Sequence, residues 1–154
     1  METIQNQFKR IERLSDKVLN NINRDQHEYE DDVRQYFQEC WNLKDRIKND
    51  KNLGRTITNT IESEISNHPS LEIAADLANR MKHYSLDRHI RKDAAISRRS
   101  LTIHIQKPGQ PGTGYGEIEY TVSIDTGETF ELTDLVSSSL ESWREVLNGY
   151  GIAF

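Results

Sequence analysis

The chain has 154 residues, 34% hydrophobic and 29% charged, with a net charge of -5 and a mean hydropathy of -0.80. That is enough chain for a single domain, 1-154, with its own core, and too acidic overall for nonspecific nucleic-acid binding by the whole surface. No apolar run approaches the length of a membrane span, the N-terminal METIQNQFKRIERL lacks the apolar centre of a signal peptide, and one cysteine excludes an internal disulfide. A cytoplasmic protein is expected, with no membrane contact and with Cys40 as a small core residue.

Ile4, Phe8, Ile11, Val18 and Ile22 recur at helical steps and predict a first helix from about Glu2 to Asn23. Arg24 to Glu28 is a polar break. A second helix is predicted from Glu30 to Asn49, with Val33, Tyr36, Phe37, Cys40, Leu43 and Ile47 on its core face. Asp31 and Asp32 in its first turn and Arg46 and Lys48 in its last suit the helix dipole. Trp41 and Lys48 fall off the apolar stripe, about 20° apart in projection. Such a pair can stack a base and contact a phosphate, or form half of a dimer interface; the plainer alternative is a large residue at the core edge. Ile57, Ile61 and Ile65 define a third helix that stops before Asn67-His68-Pro69, and Ser70 is placed to cap a fourth.

The fourth helix carries the residues that could do chemistry. Leu71, Ala74, Leu77, Ala78 and Met81 form its apolar stripe, and Asp76, Asn79, Arg80, His83 and Asp87 follow the same period on the other side. A neutral imidazole can take a proton from a ribose 2′-hydroxyl while a guanidinium or ammonium stabilises charge growing on phosphate. His83 is therefore the candidate base or acid, Asn79 its orienter, Asp76 the carboxylate that holds the arginine or imidazole, and Arg80 and Lys82 the phosphate contacts. The bland alternative is a solvated polar face. From Arg80 to Arg99 seven basic residues stand against two acidic ones, a local +5 that leaves -10 for the rest of the chain. Arg88 and Arg91 extend the candidate phosphate-binding set, and the basic stretch either steers an anionic partner or pairs with the acidic remainder.

After Ser100 the apolar period changes from helical to two. Leu101, Ile103 and Ile105 alternate as one strand; Ile118, Tyr120, Val122 and Ile124 as a second; Thr129 to Leu132 makes a short third after the turn at Asp125 to Glu128. Thr133 is placed to cap a closing helix with Val136, Leu140, Trp143 and Leu147 as its stripe, ended by Gly149 or Gly151. The glycine-rich segment 107-116 joins two strands and opens no helix, so it reads as a hairpin loop and not a phosphate cradle. His83, Asp87 and His89 do not share one helical face, and neither a metal nor another cofactor is expected. Cys40 has no nearby base to make it a nucleophile.

The segments YFQECWNLKDRIKND, with its LKD-x-IKND core, and AADLANRMKH, with its DLAN-xx-KH core, resemble a group of small bacterial and phage proteins, and LTDLVSSSLESWREVLNGYGI is similar to that group's last helix. More distantly the arrangement resembles the HEPN superfamily, helical-bundle proteins that are commonly dimeric and include many metal-independent ribonucleases of defence systems. Their signature is an arginine, a polar residue, three variable residues and a histidine. Here Asn79 and His83 match the polar residue and the histidine, and Ala78 stands where the arginine belongs. Arg80, about 200° further round the helix, cannot simply take its place.

The elements predict an α+β protein, a helical bundle (1-97), a small antiparallel β-meander (100-132) and a packing helix (133-148), and the resemblance implies that the bundle is antiparallel, HEPN-like and the seat of a homodimer. It implies a protein of mobile-element, phage or defence context that binds RNA or a nucleotide-like anion at the helix-four face, with metal-independent endoribonuclease activity in question because of Ala78. The rival expectation is a non-catalytic interaction module, immunity- or antitoxin-like, that docks its basic 88-99 segment on an acidic protein partner.

Overall fold

The computed structural model of the protein describes residues 2-82, 94-104 and 114-154. Its order is α1 (Ile4–Leu19), α2 (Gln26–Asn49), α3 (Arg55–Ser66), α4 (Pro69–Lys82), β1 (Ala95–His104), β2 (Tyr115–Ser123), β3 (Thr129–Glu131) and α5 (Leu132–Gly149). The architecture is α+β, mostly helical, with one three-stranded antiparallel sheet ordered β1-β2-β3.

Each amphipathic helix is seated by its stripe and fixed at its ends. Ile4, Phe8, Ile11, Leu14 and Val18 bury one side of α1. Thr3 opens that helix by accepting the Asn6 N–H at 3.1 Å, and Asp25 opens α2 by accepting the Glu28 N–H at 3.0 Å. Pro69 begins α4, whose first amide bonds run from Leu71 and Glu72 to the His68 carbonyl, so the cap expected of Ser70 lies one position past the helix start. Ser70 instead pairs its hydroxyl with Ser142 of α5 at 2.9 Å. At the other end of α5, Gly151 adopts φ +71 while Ile152 donates to the Leu147 carbonyl at 2.9 Å and Gly151 to that of Asn148 at 3.0 Å. This left-handed termination satisfies carbonyls that the helix leaves open.

Helix α4 is the centre of the molecule. It packs on α2, α3, α5 and β1, and Leu71, Ile73, Ala74, Ala75, Asp76, Leu77 and Ala78 are all buried. The small side chains of Ala74, Ala75 and Ala78 allow neighbours to approach on several sides, which the periodic stripe alone does not convey. Trp143, Tyr29, Tyr36, Phe8 and Phe37 fill the largest volumes of the core. Edge-to-face ring pairs join Phe8 to Phe154 (5.0 Å) and Tyr29 to Tyr120 of β2 (5.6 Å), the second linking the bundle to the sheet.

Two boundaries differ from the sequence reading. First, β1 begins at Ala95, so residues 95-100 belong to the sheet and not to the bundle's basic extension. Ala95 and Ile96 pair with Ser123 and Val122, and an irregularity between Ile96 and Arg98 shifts the register for the pairs from Arg98–Thr121 to His104–Tyr115. Second, Ile22 leaves the helix-one stripe. It is 37% exposed and lies opposite Glu117, because Asn21 and Asn23 clamp the α1–α2 linker onto β2. Asn21 exchanges two bonds with Ile118 (both 2.9 Å), and Asn23, in the left-handed region at φ 51, exchanges two with Gly116 (2.8 and 2.9 Å). The linker thus covers the part of the β2 edge that the short β3 leaves open.

Candidate functional site

Helix α4 ends beside α2 and the start of the sheet, and there the chain leaves a cleft of about 450 Å³. Val33, Leu77 and Tyr120, all buried, form its floor; Met81, Ala95 and Ile96, half-buried, form its walls; Glu30, Arg34 and Arg80 stand at its mouth. The two arginines arrive from different helices, α2 and α4. Arg34 donates to the Met81 carbonyl in the last turn of α4 and to Glu30 one turn back, both at 3.4 Å. A cation there also suits the negative end of the α4 dipole. Among the described residues one carboxylate and two guanidinium groups stand at the mouth, above an apolar floor. Tyr29, which supports Tyr120 from beneath, has its phenol pushed up to about 12 by burial and by Tyr120, against the lowering charge of Arg24. It stays neutral at physiological pH.

The expected polar face of α4 divides. Arg80 is exposed and Asn79 half-buried at the cleft end of the helix. Asp76 is 1% exposed and does not face solvent: its carboxylate accepts the buried Ala94 N–H at 3.4 Å, where the chain enters β1. The cause is β1 packing over that side of the helix, which a periodicity reading of α4 alone does not contain. Lys82 closes the helix in backbone, and His83, Asp87, Arg88, His89 and Arg91 lie outside the described residues, as does most of the glycine-rich segment, 105-113.

Trp41 and Lys48 are not brought to this cleft. They follow Arg34 on α2 by seven and fourteen residues, about 10 and 21 Å along the axis. The cation over the Trp41 ring is Lys44, 3.7 Å from its centroid, and Trp41 is half-buried against Cys40, Ile65, Leu71 and Ala74. Lys48 bonds Glu62 of α3 at 3.2 Å. Cys40 is a core residue whose thiol is pushed up to about 12 by burial, so it stays protonated and unreactive. Among the described residues no group of three His, Cys, Asp or Glu side chains is placed to hold a metal ion, and no helix is long and apolar enough to cross a membrane.

Arg34 and Glu30 are the site residues that sequence reasoning missed. Their four-residue spacing was visible as a surface ion pair of α2. Their approach to the end of α4 is a tertiary fact. In comparisons with known proteins, no family model, no curated protein and no solved structure matches the chain.

Proposed function

We propose that this chain is a HEPN-like cytoplasmic protein that binds RNA or a nucleotide-like anion in the cleft at the end of α4, without cleaving it. The observation that carries the reading is the meeting of Arg34 and Arg80 over the apolar floor of Val33, Leu77 and Tyr120. Guanidinium groups give a phosphate paired donors in fixed geometry, and an aromatic and aliphatic floor gives a base or sugar an apolar contact.

Two placements support binding over catalysis. Ala78, at the position of the superfamily's arginine, is 3% exposed, so that position faces the core and not a ligand. Asp76 is buried, with its carboxylate against the backbone at the start of β1, and does not stand in one solvent-facing row with Arg80.

The test is fluorescence anisotropy of a labelled short RNA and a labelled adenosine nucleotide, in EDTA, with a gel for cleavage products. The parent is expected to bind at least one probe, Arg80→Ala to lose about tenfold or more of that affinity, and the RNA to remain intact. Binding that ignores Arg80→Ala would refute the site. Cleavage by the parent that His83→Ala abolishes would refute the absence of catalysis.

A further inference from the structure

Among the described residues the charged side chains of the cleft stand at its mouth and buried residues line its floor. The cleft's volume of about 450 Å³ sits within the range of small-molecule sites, roughly 300 to 1,000 Å³. Resting on the reading above, we infer that its ligand is one compact organic anion, a phosphate or carboxylate head on a flat or apolar body, and not an extended RNA strand.

The division of the lining argues for an amphipathic ligand. Arg34 and Arg80 lie at the solvent side and Val33, Leu77 and Tyr120 at the bottom, so the head is held outward and the body inward. A bare inorganic anion would use the arginines and leave the floor uncovered. An apolar body without an anionic head would cover the floor and leave the guanidinium groups unused.

The surroundings argue against a strand. Sequence-tolerant binding of single-stranded nucleic acid calls for a positive groove that follows the backbone over several nucleotides, with successive aromatic side chains for the bases. Among the described residues the cleft offers one aromatic ring, Tyr120. On the α2 side a groove is lined by four carboxylates, Asp16, Glu28, Asp31 and Asp32, against two cations, Lys17 and Arg24. On the β2 side a second depression shares Tyr120 and carries Glu117, Glu119, Glu131 and Asp134. Outside residues 80-99 the chain's charge is -10. A polyanion leaving the cleft in either of those directions runs into carboxylates, and a ligand that ends at the mouth does not.

The inference is tested by isothermal titration calorimetry of the full chain, in low salt without divalent metal, against adenosine 5′-monophosphate, inorganic phosphate and a 12-nucleotide mixed-sequence RNA. The expected order is adenosine monophosphate at least about tenfold tighter than phosphate, and RNA no tighter than the mononucleotide. Arg80→Ala, at an exposed position, is expected to weaken mononucleotide binding about tenfold or more. RNA binding about tenfold tighter than the mononucleotide, and lost in Arg80→Ala, would overturn this inference while leaving the anion site standing. Phosphate binding as tightly as the mononucleotide would overturn the role of the floor. Failure of all three to bind would overturn both the inference and the reading it rests on.

Discussion

Lys44 offers the sharpest check on what stabilises the bundle. It is 5% exposed on α2, its ammonium within 3.0 Å of Asp45, 3.1 Å of Glu62 and 3.7 Å of the Trp41 ring centroid. Both carboxylates are partly solvated, so each ion pair gains little once desolvation of the lysine is counted. The four-carbon stem, by contrast, is packed. Lys44→Ala removes three methylenes, about 0.8 kcal/mol each, and a cation–π contact of about 1 kcal/mol, for a loss of about 3 kcal/mol. Lys44→Met keeps nearly the same stem volume and discards the buried charge; its cost is expected to stay under about 1 kcal/mol. Urea unfolding at neutral pH measures both. Methionine as damaging as alanine would refute the reasoning, because the charge and not the stem would then be the stabilising part. The acid limb gives a second readout. Burial alone would raise the Glu62 carboxyl, yet hydrogen bonds and charge from Lys44 and Lys48 outweigh it and hold the group below its ordinary value. A carboxyl lowered on folding stabilises fully above its unfolded value, near pH 4.5, and loses that stabilisation as pH falls through the folded one. Glu62→Gln is therefore expected to flatten the loss of stability below that pH.

Tyr36→Phe removes a buried hydroxyl that donates to the Val136 carbonyl at 3.1 Å and pairs with Ser139 at 2.7 Å. Ser139 still bonds Val136 at 3.0 Å, so no hydroxyl is stranded and thermal unfolding should show a loss of only about 1 kcal/mol. Gly151→Ala meets no steric neighbour but forces an L-residue to φ +71; a loss of about 1 kcal/mol, or about 3 °C in melting temperature, is expected. Ala78→Arg, which restores the superfamily's arginine, drives a guanidinium into a position 3% exposed and should cost more than about 3 kcal/mol with no gain of RNA cleavage in EDTA. A stable, cleaving Ala78→Arg variant would overturn the burial argument.

How far the sequence carries depends on how local the determinant is. The five helices and β2 were legible because each buries one side against the rest, and the stripes of α2 and α5 match their buried residues. Helix α4 was legible as a helix but not as the centre: Asp76 and Ile73 lie off its stripe, and only the packing of β1 and neighbouring helices buries them. The start of β1 was missed because Ala95, Ile96 and Ser97 show no alternation, and pairing with Ser123 and Val122 decides their state. Ile22 fits the helical period of α1 and was removed from it by the Asn21 and Asn23 clamps. Of the cleft, Arg80 was legible as a cation near the end of a helix. Arg34 was not, because its place depends on where α2 crosses α4.

The most direct test of the anion cleft is to follow backbone amide resonances of the uniformly ¹⁵N-labelled chain as adenosine monophosphate is added. Saturable shifts are expected at Arg34, Leu77, Arg80, Ala95, Ile96 and Tyr120, with Trp41 and Lys48 unmoved. Shifts centred on Trp41 and Lys48, or no saturable shift at the cleft, would contradict that placement.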